Sequence, residues 1–450
     1  MLGFSKTNEP NPNRMKYLLI SIFPLFFMSN AIAQLDKTER RLIRYVDEHN
    51  QQYLDLLKEL ININSGTMNF EGVRKVGDRL GKEFEKLGMT VEWVDGAAFN
   101  RAGHLVARME GGKGKKIMLI GHLDTVFEPD SPNQKWEQID ENTIKGPGIA
   151  DMKGGDVIIL QSLAALHDVG LLKDMNITVV MTGDEELSGR PLSLSKATLI
   201  ETAKWADIAL GFENGDGNPA TVNVARRSSS GWTLKVMGNA SHSSQIFKPN
   251  VGAGAIYETS RILYQFYEAL SEEEYLTFNP GMIAGGTLVN YNESENKGTA
   301  FGKDNVVSKE VTVTGDIRCL TPEQLVRTQA TMKLIVAKHL PQTNAEIIFE
   351  EGYPPFAPTD GNYQLLNIFS TVSQDLGYGE VKTVNPADAG AADISFTSGY
   401  IEMGIDAMGM SGANDHTINE TGDVRALPKQ SKRAAVLMYR LSKGVKINRK

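Results

Sequence analysis

A single cysteine in 450 residues, Cys319, has no partner for an internal disulfide. That excludes a small scaffold stapled by disulfides, and a chain this long can bury a sizeable core without staples. Cys319 sits beside an expected strand and reads as a packed small hydrophobe rather than a nucleophile. Basic charge is also short. Lys and Arg number 47 against 55 Asp and Glu, giving a formal charge of −8 and a pI near 5.6. No basic stripe with interleaved aromatics is present, so the balance argues against a nucleic-acid partner. Internal repeats and low-complexity tracts are missing as well.

Long apolar runs are missing with one exception. Arg14-Met15-Lys16 precedes an apolar run over 17–28, and Ser29-Asn30-Ala31-Ile32-Ala33 follows before Gln34. A basic start, an apolar stretch too short to span a bilayer and an A-x-A site describe a secretory signal peptide. An uncleaved membrane anchor is the competing reading, but Pro24 inside the run and the Ala31/Ala33 pair favour cleavage after Ala33. We therefore expect residues 1–33 to be an upstream extension and signal peptide, with Met1 or Met15 as the start. The mature protein is expected to be periplasmic or secreted, and free of the membrane. No Cys near the site provides for a lipid anchor.

What is present is a regular alternation. Apolar residues at helical spacing (Leu42, Tyr45, Val46, Tyr53, Leu56, Leu57) predict a helix over 35–60, and 71–87 predicts a second, closed by Gly88. Strands are expected over 89–94, 104–109, 117–120, 177–181 and 208–210, with helices over 155–169 and 193–203 between them. Strands alternating with helices of this length mean an α/β fold with a mostly parallel sheet covered on both faces. From about Ser228 the pattern changes to strand 231–237, helix 252–270, strands 286–290 and 310–318, helix 322–339 and strand 345–349. This βαββαβ order is that of a ferredoxin-like module. It predicts a small domain over 226–351 inserted between two parts of a larger one, 34–225 and 352–450, the latter ending in a helix over 428–444.

Chemistry gathers at the expected strand ends. The apolar run 117–120 ends in Gly121-His122-Leu-Asp124, and residues two apart in extended chain share a wall. In open α/β sheets ligands bind beyond the carboxyl ends of the strands. An imidazole beside a carboxylate is also how a zinc ligand is oriented. Four more stretches repeat the theme: Gly146-Pro-Gly-Ile-Ala-Asp151-Met-Lys-Gly-Gly155, Gly-Asp-Glu185-Glu186, Gly-Phe-Glu213 and Asp415-His416. The Gly-rich turn is not a P-loop, because no Gly-Lys-Ser/Thr follows. Each stretch alone is more often a solvated turn than a site. Together they offer two His and several carboxylates at strand ends of one sheet, enough for two divalent ions with one bridging acid and a surplus acid as general base.

With these motifs in this order, residues 35–445 resemble the di-zinc exopeptidases that include glutamate carboxypeptidase, aminoacylase, carnosinase and desuccinylases. The type most similar is the secreted glutamate carboxypeptidase. The resemblance implies two zinc ions per chain, with Co2+ or Mn2+ as substitutes. His122 and Glu213 would hold one ion, Glu186 and His416 the other, and Asp151 would bridge. Glu185 would be the general base and Asp124 the orienter of His122. The inserted domain would be a lid and dimerisation domain. There, Asn239-Ala-Ser-His242 resembles the histidine that reaches across a homodimer to polarise the scissile carbonyl, Asp316-Ile-Arg318 the arginine that binds a substrate carboxylate, and Asn305 a polar partner. The remaining histidines, His49, His104, His167 and His339, match no motif and are expected on the surface or on helix faces.

The sequence departs from the family pattern at Gly352-Tyr353-Pro354-Pro355, where glutamate carboxypeptidases carry an arginine in a Gly-Arg-Pro-type turn. Selection for a terminal glutamate is therefore not implied. The expected substrates are short peptides or N-acyl amino acids with a free carboxylate. The competing classes are an aminoacylase- or desuccinylase-type deacylase and a metal-bound peptide-binding protein without turnover. A degenerate binder should have lost Glu185 or a ligand, and none is lost.

Overall fold

The computed structural model of the chain describes residues 35–444 except 133 and 294, so the leader expected over 1–33 lies outside the described residues. Among the described residues no helix is long and apolar enough to cross a membrane.

The first sheet has six strands, in the order Thr90–Asp95, Gly103–Glu110, Met175–Thr182, Lys113–His122, Ile208–Gly211, Met403–Ile405. The last four pair in parallel and the first two run antiparallel along one edge. Lys113–His122 lies inside this sheet, and its side chains alternate between two buried layers. Ile117 and Leu119 pack with Leu57, Leu163 and Leu437 on one face, while Met118 and Ile120 pack with Leu199 and Ile394 on the other. Burial on both faces is why the run reads as continuously apolar. Over the first face lie the helices Lys37–Ile61, Phe70–Lys86, Gly154–Asp168 and Ala426–Ser442. The first of these opens on a reciprocal capping box between Asp36 and Glu39.

The second sheet has four antiparallel strands, in the order Thr277–Gly286, Glu310–Arg318, Ser230–Gly238, Thr343–Phe349. Helices Ala255–Leu270 and Pro322–Val336 pack on it around Trp232, Leu234, Val311, Val313, Phe266 and Met332. This is the βαββαβ module expected from the sequence, with a hairpin of Leu288–Asn292 and Lys297–Phe301 added between its second and third strands. The strand expected over 286–290 is present as Leu288–Asn292 in the hairpin, and the module's second strand is instead Thr277–Gly286, which the sequence reading missed. Pro280 and Gly281 hide it, since they lie at a register shift in the ladder. Such a pair is tolerated because the strand is at the sheet edge. The expected helix over 193–203 is divided into Leu192–Ser195 and Ala197–Trp205, with Lys196 at the break.

The chain crosses between the sheets over 224–229 and returns over 350–357. The two crossings pair by backbone hydrogen bonds. Arg226 and Phe356 exchange theirs at 2.9 and 3.0 Å, and Ser229 and Tyr353 theirs at 3.0 and 2.8 Å.

Candidate metal centre

His122 ends the strand Lys113–His122 with its imidazole fully buried. Nδ1 lies 3.0 Å from the backbone oxygen of Asp124 and 3.5 Å from its Oδ1. Nε2 lies 3.0 Å from Asp151 Oδ1 and 3.4 Å from Oε1 of Glu213, which follows the neighbouring strand. The second oxygen of Asp151, Oδ2, lies 3.1 Å from His416 Nε2, which is also 3.1 Å from Glu186 Oε2. Asp151 thus turns one oxygen to each histidine, and each histidine has a second acid beside it. Glu185 completes a group with His122 and Glu213 whose ligand atoms lie within 4.8 Å of one another. Asp415 does the same with Asp151 and His416.

One expectation needs correction. His122, the 185–186 pair and Glu213 do follow strands of the first sheet, but Asp151 and His416 do not. They come from a separate small sheet of Glu137–Gln138, Thr143–Lys145, Gly412–Ala413 and Thr421–Asp423. His416 rides the turn between the last two of these, with φ of 58°. Asp151 lies in the turn before helix Gly154–Asp168, which the same sheet feeds.

Several supporting residues carried no sequence signal of their own. Thr67 donates to Asp124 Oδ2 at 2.7 Å, and the backbone N–H groups of Glu185 and Glu186 donate to the two Asp124 oxygens at 3.1 and 3.2 Å. Asp124 therefore holds both His122 and the acidic pair. Glu420 is fully buried and accepts the N–H groups of Gly148, Ala150 and Asp151 at 2.8, 2.8 and 3.1 Å. Below Glu213, buried Arg226 donates to Asp406 Oδ2 at 2.7 Å.

Beneath Glu185 lies a second buried group. Lys196 Nζ is 2.8 Å from Asp184 Oδ1 and 3.2 Å from Asp393 Oδ1. His104 belongs here too, which corrects its expected surface position. It is fully buried, accepts the Gly183 N–H on Nδ1 at 3.2 Å and faces the Ser195 carbonyl from Nε2 at 2.8 Å. A strand residue beside the 182–186 turn has no solvent to face, and burial holds this imidazole below its ordinary pKa.

The lid residues keep to the second sheet and its loops. His242 is exposed, with Nδ1 2.8 Å from Ser244 Oγ, and it bridges to Val306 next to Asn305. Arg318 ends its strand and pairs with Asp316 at 3.1 Å. Cys319 is buried, which raises its thiol pKa to about 11.

The electrostatics ask for cations. Asp124, Asp151, Glu185, Glu186 and Glu213 surround only two imidazoles. Burial, then Asp151, pushes the Glu186 and Glu213 carboxyls up to about 7. Burial raises Glu185 well above the carboxylate range. Asp151 and Glu186 raise His416 to about 11. Burial opposes a charge on His122, and Glu213, Asp124 and Asp151 outweigh it. Carboxylates and imidazoles converging on two lobes, with one acid shared between them, are a donor set that fits two divalent ions.

A mostly parallel α/β sheet carrying a two-lobed carboxylate and imidazole cluster defines a metallohydrolase. Residues 118–440 match the model of peptidase family M20/M25/M40, and the chain belongs to that family. It is 26% identical over 422 residues to carboxypeptidase G2 of Pseudomonas sp. (strain RS-16), covering 93% of this chain and 96% of that protein. Its fold is similar to the aminopeptidase PepT from Bacillus cereus, with TM-score 0.68 and 19% identity over 87% of this chain and 98% of that one. It is also similar to a dinuclear metal-binding peptidase of the M20 family from Bacillus subtilis, with TM-score 0.62 and 14% identity over 89% and 100% of the two chains.

Proposed function

We propose that the mature protein is an exported zinc-dependent exopeptidase of carboxypeptidase type, acting on short peptides or N-acyl amino acids with a free carboxylate. The observation that carries this reading is Asp151, whose two oxygens divide between His122 and His416 while Glu185 stands beside the cluster as a surplus acid. The near full-length likeness to carboxypeptidase G2 supports it. Zinc is the ion proposed, and cobalt or manganese suit the same donors.

His122 and Glu213 would hold one ion, His416 and Glu186 the other, with Asp151 between them. Divalent ions bound there supply Lewis acidity toward a carbonyl oxygen and lower the pKa of water. Asp124, fixed by Thr67 and two backbone N–H groups, orients His122. Glu185 takes the proton of the attacking water and delivers it to the leaving amine. Arg318 binds the substrate carboxylate with Asn305 as polar partner, and His242 polarises the carbonyl from the second subunit of a homodimer. Tyr257, Tyr264 and Tyr267 on helix Ala255–Leu270 and Ile283 on the edge strand support that dimer, because each is more than half exposed.

The test is metal analysis of the mature protein followed by a panel of dipeptides and acyl-amino acids scored for amine release. About two ions per chain and cleavage of carboxylate-bearing substrates are expected. Release from acyl-amino acids alone would mark a deacylase, a preference that Tyr353 in place of an arginine leaves open. Two ions without any turnover would mark a peptide-binding protein.

A further inference from the structure

The return crossing between the sheets carries Tyr353, and its surroundings are unusually specific for a residue outside the metal cluster. Its backbone is locked to Ser229 on the outgoing crossing by two hydrogen bonds. Its ring meets Phe396 edge-on at 4.9 Å, and the buried Lys196 ammonium lies 5.4 Å from the ring centroid. Its hydroxyl lies 3.0 Å from the backbone oxygen of Glu185 and 3.1 Å from Asp393 Oδ1, while Ser188 Oγ donates to it at 3.2 Å.

The contact with Glu185 has a counterpart across the same peptide unit. The carbonyl of Glu185 accepts from Tyr353, and the N–H of Glu186 donates to Asp124 Oδ2 at 3.2 Å. One peptide plane is therefore held from both sides, and that plane sets where the Glu185 carboxylate starts. Asp393 Oδ1 is the other acceptor within reach of the single phenolic proton, but Lys196 at 3.2 Å and the Thr182 hydroxyl already donate to that carboxylate, which leaves the proton to the Glu185 carbonyl. Removing the phenolic oxygen frees one side of the plane and leaves the ring packing intact.

We infer that Tyr353 is a positioning residue for the reaction: from the crossing between the sheets, its hydroxyl fixes the Glu185–Glu186 peptide opposite Asp124 and so aims the Glu185 carboxylate. The inference rests on the reading of Glu185 as general base.

The test is a double-mutant cycle of Tyr353→Phe with Glu185→Gln, with kcat, KM and metal content measured for each variant. A misplacement of about 1 Å costs on the order of 10²-fold in rate, so Tyr353→Phe should lower kcat roughly 10- to 100-fold, with KM changed less than about threefold and the bound ions retained. In the Glu185→Gln background the same change should cost nothing further, because the group it aims no longer takes a proton. Additive losses, a loss carried by KM, or loss of an ion would overturn the role of Tyr353 while leaving Glu185 as the base. Glu185→Gln keeping more than about a tenth of wild-type kcat would overturn both. Ser188→Ala, which removes only the hydroxyl that donates to the phenol, carries the same cycle should Tyr353→Phe fold poorly. A smaller kcat loss that also vanishes beside Glu185→Gln is expected, and an unchanged kcat would overturn the inference.

Discussion

Glu420 accepts the backbone N–H of Asp151 at 3.1 Å, across 269 residues of sequence. The contact ties the loop that carries His416 to the turn that carries the shared carboxylate. With the N–H groups of Gly148 and Ala150 on the same side chain, the turn has one buried acid as its common acceptor. Glu420→Ala leaves three buried donors without a partner, and the turn should relax. Supporting groups of metal ligands typically cost 10–100-fold in affinity when lost. A drop of about that size is expected in competition with a chelator, with an intermediate drop for Glu420→Gln. Unchanged affinity in the alanine variant would show that the turn holds itself.

Lys196 lies between two buried carboxylates, Asp184 and Asp393, and the sign of its effect can be worked out. Burial opposes a charge on Asp184, but Lys196 and His104 outweigh it and leave the carboxyl below its ordinary value. Burial likewise opposes the ammonium, and Asp393 with Asp184 outweighs it and raises the Lys196 pKa. In the wild type the Asp184 contribution is therefore complete above the ordinary carboxylate range and is lost as pH falls through the folded pKa. The Lys196 contribution is complete below its ordinary pKa and is lost only as pH rises through the raised value. Lys196→Met leaves both acids buried without a counter-ion, at a cost of about 3–5 kcal/mol. Without the ammonium that lowers it, the Asp184 pKa then rises, so protonation relieves the strain. Urea unfolding should show a larger deficit at pH 8 than at pH 5.5, and an equal or reversed deficit would contradict the pairing.

What could be read in advance, and what could not, follows from the range of the contacts. Ile117 to Ile120 betrayed a strand buried on both faces, and His122 and Asp124 at its end are local consequences of that strand. The strand expected over 310–318 was likewise a local signal, and its Val311, Val313 and Ile317 lie in the second core. Glu420, Thr67 and Tyr353 could not be read this way. Each acts on a residue 57 or more positions distant, so no spacing marks it. His104 failed for a related reason, since the turn that surrounds it belongs to another strand. The edge strand Thr277–Gly286 failed because Pro280 and Gly281 weaken strand propensity where an edge tolerates them.

Arg318 ends its strand with the guanidinium against Asp316 at 3.1 Å and about a third of the side chain exposed. A planar guanidinium suits a carboxylate bidentately, and a charge-assisted hydrogen bond is worth about 1.5–3 kcal/mol. Arg318→Ala should lower kcat/KM by roughly one to two powers of ten on substrates with a free carboxylate, mainly through KM, while metal content is unchanged. Substrates amidated at that carboxylate provide the control. An equal loss on both series would remove Arg318 from carboxylate binding.

Glu185 and Glu186 are neighbours whose N–H groups share one acceptor, Asp124, yet their side chains have different company. Glu186 Oε2 lies 3.1 Å from His416 Nε2, whereas Glu185 groups with His122 and Glu213, their ligand atoms within 4.8 Å of one another. On the proposed reading Glu186 ligates and Glu185 works on substrate. A general acid–base group contributes about 10²–10⁴ in rate, and one that both takes the proton of water and delivers it to the amine belongs at the upper end. Glu185→Gln keeps shape and hydrogen bonding but cannot accept the proton. It should bind two ions and substrate while kcat falls by about 10³ or more. Glu186→Gln replaces one acceptor facing His416 and should lose metal first, with the loss of turnover reversed in part by added zinc. Metal analysis beside single-turnover rates separates the two variants. If Glu185→Gln shed an ion while Glu186→Gln kept both, the two roles would have to be exchanged.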